Sequence, residues 1–151
     1  VTVEYQALGV FHHAEAYWKA ADHLAKKMEE HRIKLRFLAP VHHLYGHAIE
    51  NVLKAFLLTR GYTEQALARQ QWGHNLDALY HESTTKRLPL GRKGWAERKR
   101  LISLINSHHS VPYTFRYLKI GLQRVPTNAA FSGLCRALFR AVGPFVGAHR
   151  T

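Results

Sequence analysis

The sequence predicts an all-α fold, an up-and-down bundle of four to five helices forming one domain over residues 1–151. Three observations carry this. Apolar residues recur at three- and four-residue steps through most of the chain, and no run alternates with the period of a strand. Helix start and stop signals fall at the ends of those periodic stretches. Hydrophobic content of 46% with 21% charged residues is a globular balance, and 151 residues are enough for one core.

The first helix is expected from about Glu4 to Glu30, with Leu8, Phe11, Trp18, Ala21, Ala25 and Met28 on its inner face. The second starts near Pro40, a residue suited to a first turn, and stops at "TRGY", where Gly61 can adopt the left-handed conformation. The segment "YTEQALARQQWG" reads as a loop with one helical turn, leading to a short helix from about Asn75 to Thr85. After the basic loop "KRLPLGRKG", a fourth helix runs from about Trp95 to His108, with Leu101, Ile102 and Ile105 inward. Trp95 is expected in the core. An irregular connection bounded by Pro112 and Pro126 follows. The last helix opens at Thr127 as N-cap, carries Phe131, Leu134, Leu138 and Val142, and breaks at Gly143-Pro144.

Charge narrows the function classes. Residues 1–85 hold nine Lys/Arg and nine Asp/Glu, whereas residues 86–151 hold thirteen Lys/Arg against Glu97 alone. The whole surplus of +12 therefore lies in the second half, which points to a polyanion, RNA or DNA, rather than a membrane. Lys86, Arg87, Arg92, Lys93, Arg98, Lys99 and Arg100 form the expected electrostatic track, and Trp95 among them could stack on a base. One cysteine, Cys135, excludes an internal disulfide and reads as a core thiol. No leader-like segment stands out, and no apolar run is expected to reach the roughly 18 residues of a membrane span. The expected setting is cytoplasmic.

The second helix carries a polar line: His43, His47, Glu50 and Lys54, within about 40° of one direction on a helical wheel. Leu44, Leu53, Leu57 and Leu58 flank it, so the helix is apolar around most of its circumference. The line is then a buried polar seam, a wet face or a metal site. The seam reading requires its groups to be paired, and Glu50 and Lys54 have the favourable order for an i, i+4 pair. The metal reading uses His43, His47 and Glu50 as ligands. No second Glu-x-x-His element and no H-E-x-x-H motif supports it, so no metal or cofactor is expected.

The strings "GHAIENVLKAFLLTRG", "GHNLDALY" and "PYTFRY" together resemble the HEPN domains (higher eukaryotes and prokaryotes nucleotide-binding). The matching positions are His47, Ala48, Ile49, Glu50, Leu53, Lys54 and Ala55, then Gly73, His74, Asn75 and Leu76, then Arg116 and Tyr117; "AEAYWKAADHLA" is similar in character. The resemblance covers roughly two thirds of the chain, from Ala14 to Tyr117. It implies a helical bundle, often a homodimer, that binds RNA or nucleotides. Many such domains are metal-independent endoribonucleases with an R-x4–6-H motif, as toxins with an antitoxin or in phage defence. Others are inactive modules that partner a nucleotidyltransferase.

"RQQWGH" supplies an R-x4-H motif, with Arg69 and His74 as candidate catalytic residues and Gln70 between them. Attack by an RNA 2′-hydroxyl needs a proton carrier and a cation for the phosphorane charge, roles suited to His and Arg. Arg36 with His42 or His43 has similar spacing. In the alternative reading, His74 is a structural residue at a helix N-terminus whose ring bonds to the seam. Arg116, between Phe115 and Tyr117, is expected to hold a phosphate or to pair with Glu50.

Overall fold

The computed structural model describes residues 2–110, 113, 115 and 124–148. These residues are helical, with no strand among them: α1 (Val3–Glu29), α2 (Leu38–Leu58), α3 (Glu64–Leu67), α4 (Leu76–Thr85), α5 (Trp95–His109) and α6 (Asn128–Val142). The helix count exceeds the expected four to five because "EQAL" closes a single capped turn, in which Thr63 Oγ1 accepts from the Ala66 amide at 3.1 Å. Two 3-10 turns, Leu35–Phe37 and Gly143–Val146, enter α2 and continue α6.

The bundle is built on α2. Ala7, Phe11, Ala14, Trp18, Ala21 and Ala25 form the buried stripe of α1, and its alanines let α1 lie close along α2. On α2, thirteen residues are buried, including Val41, Ile49, Val52 and Phe56. Pro40 stands in its first turn as expected. At its end, Tyr62 N–H donates to Leu57 O (3.2 Å) and Gly61 N–H to Leu58 O (3.3 Å), a Schellman pair made with Gly61 at φ +92°.

The α4–α5 hairpin is fastened by side chains. The Asn75 cap accepts from the Ala78 amide (3.1 Å), and Asn106 Oδ1 accepts from the Leu76 amide (2.8 Å). Asp77 accepts from Ser103 Oγ (2.7 Å) and Asn106 Nδ2 (3.0 Å). These bonds set the start of α4 beside the end of α5, and so bring His74 to His109.

Helix α6 starts at the predicted Thr127 cap, whose Oγ1 accepts from the Ala130 amide at 3.1 Å. It buries Phe131, Leu134, Leu138 and Val142, with Cys135 fully buried among them. One expectation is corrected here. Asn128–Val146 is long and apolar enough to cross a membrane by length and composition, with a mean hydropathy of 1.2. In the bundle its apolar side is core, while Arg136 and Arg140 are exposed.

Candidate functional site

The polar line on α2 is a seam that converges on Glu50. Its carboxylate is only 2% exposed and accepts three bonds. Lys54 Nζ donates to Oε1 (2.6 Å); His109 Nε2 and His74 Nδ1 both donate to Oε2, at 2.6 and 3.0 Å. Burial alone would raise this carboxyl's pKa. The bonds from His109 and His74 and the Lys54 ammonium overcome that and hold it well below the usual carboxylate range. Glu50 is therefore ionised at neutral pH.

His109 reaches Glu50 because of Gly46. A Cβ at Gly46 would stand 2.6 Å from His109 Nδ1 and 3.3 Å from its Cγ, so only glycine lets the ring lie against α2. A mid-helix glycine costs about 1 kcal/mol of propensity, and here the ring fills the space it opens.

The remaining seam residues are histidines and aromatic rings. His47 packs edge-on to Tyr17 (4.4 Å) and near His13 (6.1 Å) of α1, and His43 stacks near His109 (6.3 Å). Burial lowers the His47 pKa to about 4, against the raising effect of Glu50. On the outer side His74 meets Tyr113 edge-on at 5.7 Å, and its side chain is 37% exposed. The seam thus has a sealed floor at Glu50 and His109 and an accessible rim at His74.

The metal reading is corrected by this arrangement. Among the described residues the group that could hold an ion is Glu50, His74 and His109, with ligand atoms within 4.8 Å of one another, and not His43, His47 and Glu50. The Glu50 oxygens bond instead to Lys54, to His74 just before α4 and to His109 of α5. Even this trio fits a metal poorly. A histidine ligating through Nε2 carries its proton on Nδ1 and donates it to an acceptor. His109 Nδ1 is buried against Gly46 with no hydrogen-bond partner among the described residues. The ring instead fits the tautomer that donates Nε2–H to Glu50 and keeps the lone pair on Nδ1.

Of the two candidate catalytic residues, His74 joins the seam and Arg69 does not. Arg69 and Gln70 are exposed on the turn before α4, and among the described residues no hydrogen bond or ion pair joins Arg69 to His74. Among the described residues, the fold brings Lys54 to His74, across Glu50. His42, one residue before the seam, faces α6 instead and donates Nε2–H to Asn128 Oδ1 at 3.0 Å. Arg116 and Tyr117 lie outside the described residues.

The basic track stands apart from this cluster. Lys86 and Arg87 end α4, and Arg92, Lys93, Lys99 and Arg100 surround the start of α5; all are exposed. His109 closes the same helix fourteen residues after Trp95 and nine after Arg100, so along α5 the track lies about 14–21 Å from His109. Two expectations change. Arg98 is committed to its own loop, donating to Lys93 O (2.9 Å) and Gly91 O (2.6 Å). Trp95 is 48% exposed rather than core, because the first turn of α5 extends past the bundle.

Sequence reasoning did not place His109, Gly46 or the α1 rings at the seam, although His13 and His109 are among the further histidines available to a metal reading. His109 is fifty-nine residues from Glu50. The one available signal was Gly46 itself, a glycine inside a strongly helical run. Comparison with family models, with curated proteins and with solved structures found no match, which leaves function to the chemistry of the Glu50 seam and the distribution of charge.

Proposed function

We propose that the chain is a HEPN-like RNA-binding domain that cleaves RNA without a metal, with His74 as the proton carrier. One observation carries this: a buried carboxylate holds His74 through Nδ1 at 3.0 Å. In the neutral ring the lone pair then sits on Nε2, and Glu50 orients and stabilises the imidazolium once it forms. This is the role of the acid behind the base in a hydrolytic triad.

In the proposed step, His74 Nε2 takes the proton from a 2′-hydroxyl as its oxygen bonds to phosphorus. The bond from phosphorus to the 5′-oxygen breaks, and that oxygen leaves with the proton returned by His74. Lys54, held on the other oxygen of Glu50 at 2.6 Å, is the cation assigned to the phosphorane charge in this proposal, with Arg69, five residues before His74, as a second that would have to swing in. The strand would reach His74 along the α4–α5 hairpin from the basic tip. A cytosolic setting without membrane contact belongs to this proposal.

The test is cleavage of labelled mixed-sequence RNA in EDTA by wild type, His74→Ala and Glu50→Gln, with binding measured in parallel. The proposal expects a loss of about 10²–10⁴-fold in rate for His74→Ala with binding retained. Equal cleavage by wild type and His74→Ala overturns it.

A second reading, a module docking a nucleotidyltransferase, an antitoxin or another copy of itself, draws on one observation. Phe145 is 37% exposed beside Pro89, Leu90, Ala141 and Pro144, an apolar groove at the other end of α6. Light scattering on wild type and Phe145→Ser would reveal a dimer that depends on this groove.

A further inference from the structure

The start of α5 combines three features that a merely soluble basic surface does not require. The first is an indole, Trp95, with nearly half its surface open to solvent. The second is a cation placed on that ring: Lys99 Nζ lies 5.2 Å from its centroid. The third is a loop whose shape is fixed by a charged side chain. The Arg98 guanidinium spans the carbonyls of Gly91 and Lys93, while Gly94, at φ +74°, turns the chain into the helix. Arg92 and Lys93 are therefore displayed from a braced loop rather than a floppy one. Glu97, the lone acid of the basic half, makes no ion pair with a described residue, so these cations are not neutralised locally.

We infer that the tip of the α4–α5 hairpin is a stacking platform for unpaired nucleotides, with Trp95 taking a base and Arg92, Lys93 and Lys99 holding the flanking phosphates. The inference rests on the RNA-binding reading and adds to it the class of ligand: single-stranded RNA rather than duplex. A duplex buries its base faces in its own stack and offers an indole only phosphates and groove edges, whereas an unpaired base has a free π-face for it. Arg98 is a positioning residue here. Two of its N–H groups are held by the loop carbonyls, and in this inference it acts on the ligand through Arg92 and Lys93.

The experiment is a fluorescence titration of the whole chain with a short unstructured RNA and with the perfect duplex of the same sequence, over a salt series. Wild type, Trp95→Phe, Trp95→Ala and Lys99→Ala are compared. Trp18 is buried and Trp72 half-buried, so the solvent-exposed emission belongs to Trp95 and should be quenched by the single strand. Trp95→Ala should weaken single-strand binding by about 5- to 100-fold, leave duplex binding unchanged and keep the salt slope. Lys99→Ala should lower the slope by about one ion on both ligands. Equal weakening of single strand and duplex by Trp95→Ala, or no quenching on binding, overturns the platform while leaving RNA binding intact. No binding by wild type to either RNA overturns the platform and the RNA-binding reading together.

Discussion

Replacing Glu50 with glutamine keeps the shape of the side chain and removes its charge. The amide keeps one accepting oxygen where the carboxylate had two, so Lys54 at 2.6 Å, His109 at 2.6 Å and His74 at 3.0 Å can no longer all be satisfied, and no charge is left to balance the ammonium. His74 is at the rim and can turn to water. His109 is fully buried and Lys54 largely so, with side-chain exposures of 0% and 16%, and whichever of them faces the amide NH2 cannot recover a partner without moving. Breaking a buried pair from one side costs about 3–5 kcal/mol; rim relaxation at His74 favours the lower end, about 3 kcal/mol. In a domain of this size that lowers the melting temperature by about 6–12 °C. Urea denaturation of wild type, Glu50→Gln, Lys54→Met and the double variant reads the coupling. Lys54→Met should be costly alone and close to neutral once Glu50 is glutamine, because the ammonium is then already orphaned. Glu50→Gln within about 0.5 kcal/mol of wild type, or additive effects in the double variant, would falsify the view of Glu50 as the hub of the seam.

Gly46→Ala should destabilise by about 1–2 kcal/mol, since ring displacement outweighs the propensity gain of about 1 kcal/mol; in a His109→Ala background the same change should stabilise, read by urea midpoints. Burial lowers the His42 pKa to about 4, with the Asn128 bond opposing and His108 adding to the shift. The unfolded chain then takes up the proton first as pH falls. Stability is full above about pH 6.5 and declines by about 3 kcal/mol toward pH 4, a slope that His42→Phe should flatten in denaturation curves across that range. Burial also raises the Cys135 thiol pKa, with Asp22 adding to it. A maleimide should therefore label Cys135 only through unfolding, at a rate that follows the unfolding equilibrium under urea; fast labelling of the native chain would place Cys135 outside the core.

The helices were legible because their signals are local. Gly61, Asn75 and Thr127 each satisfy or end a helix by contacts within five residues, and the α1 and α2 stripes follow from spacing alone. The seam was half legible. Its four α2 members share a face by periodicity, and the apolar flanks required that they be paired. His74 as a seam partner is legible as the alternative reading of "GHNL", whereas His109 is not, because it lies fifty-nine residues from Glu50 and is brought there by Asn106 and Asp77. Trp95 was misplaced for a related reason. An indole at the start of an apolar-periodic helix reads as core, and only the docking of α5 shows that its first turn overhangs the bundle. Arg98 looks like its basic neighbours until its two bonds to backbone carbonyls are seen.

Glu50 also bears on how the chain reaches its native state. It sits on a helix with thirteen buried residues, and it finds its two histidine donors only when α4 and α5 have docked on the α1–α2 pair. A half-assembled bundle, with α1 and α2 packed and the hairpin still away, holds an acid in apolar surroundings with Lys54 as its remaining counter-charge. Such an intermediate is penalised twice, by the exposed hairpin-binding face of α2 and by the poorly compensated carboxylate. The same residue that holds His74 thus ties the two halves of the domain together, disfavouring partial unfolding of the hairpin as it disfavours incomplete assembly.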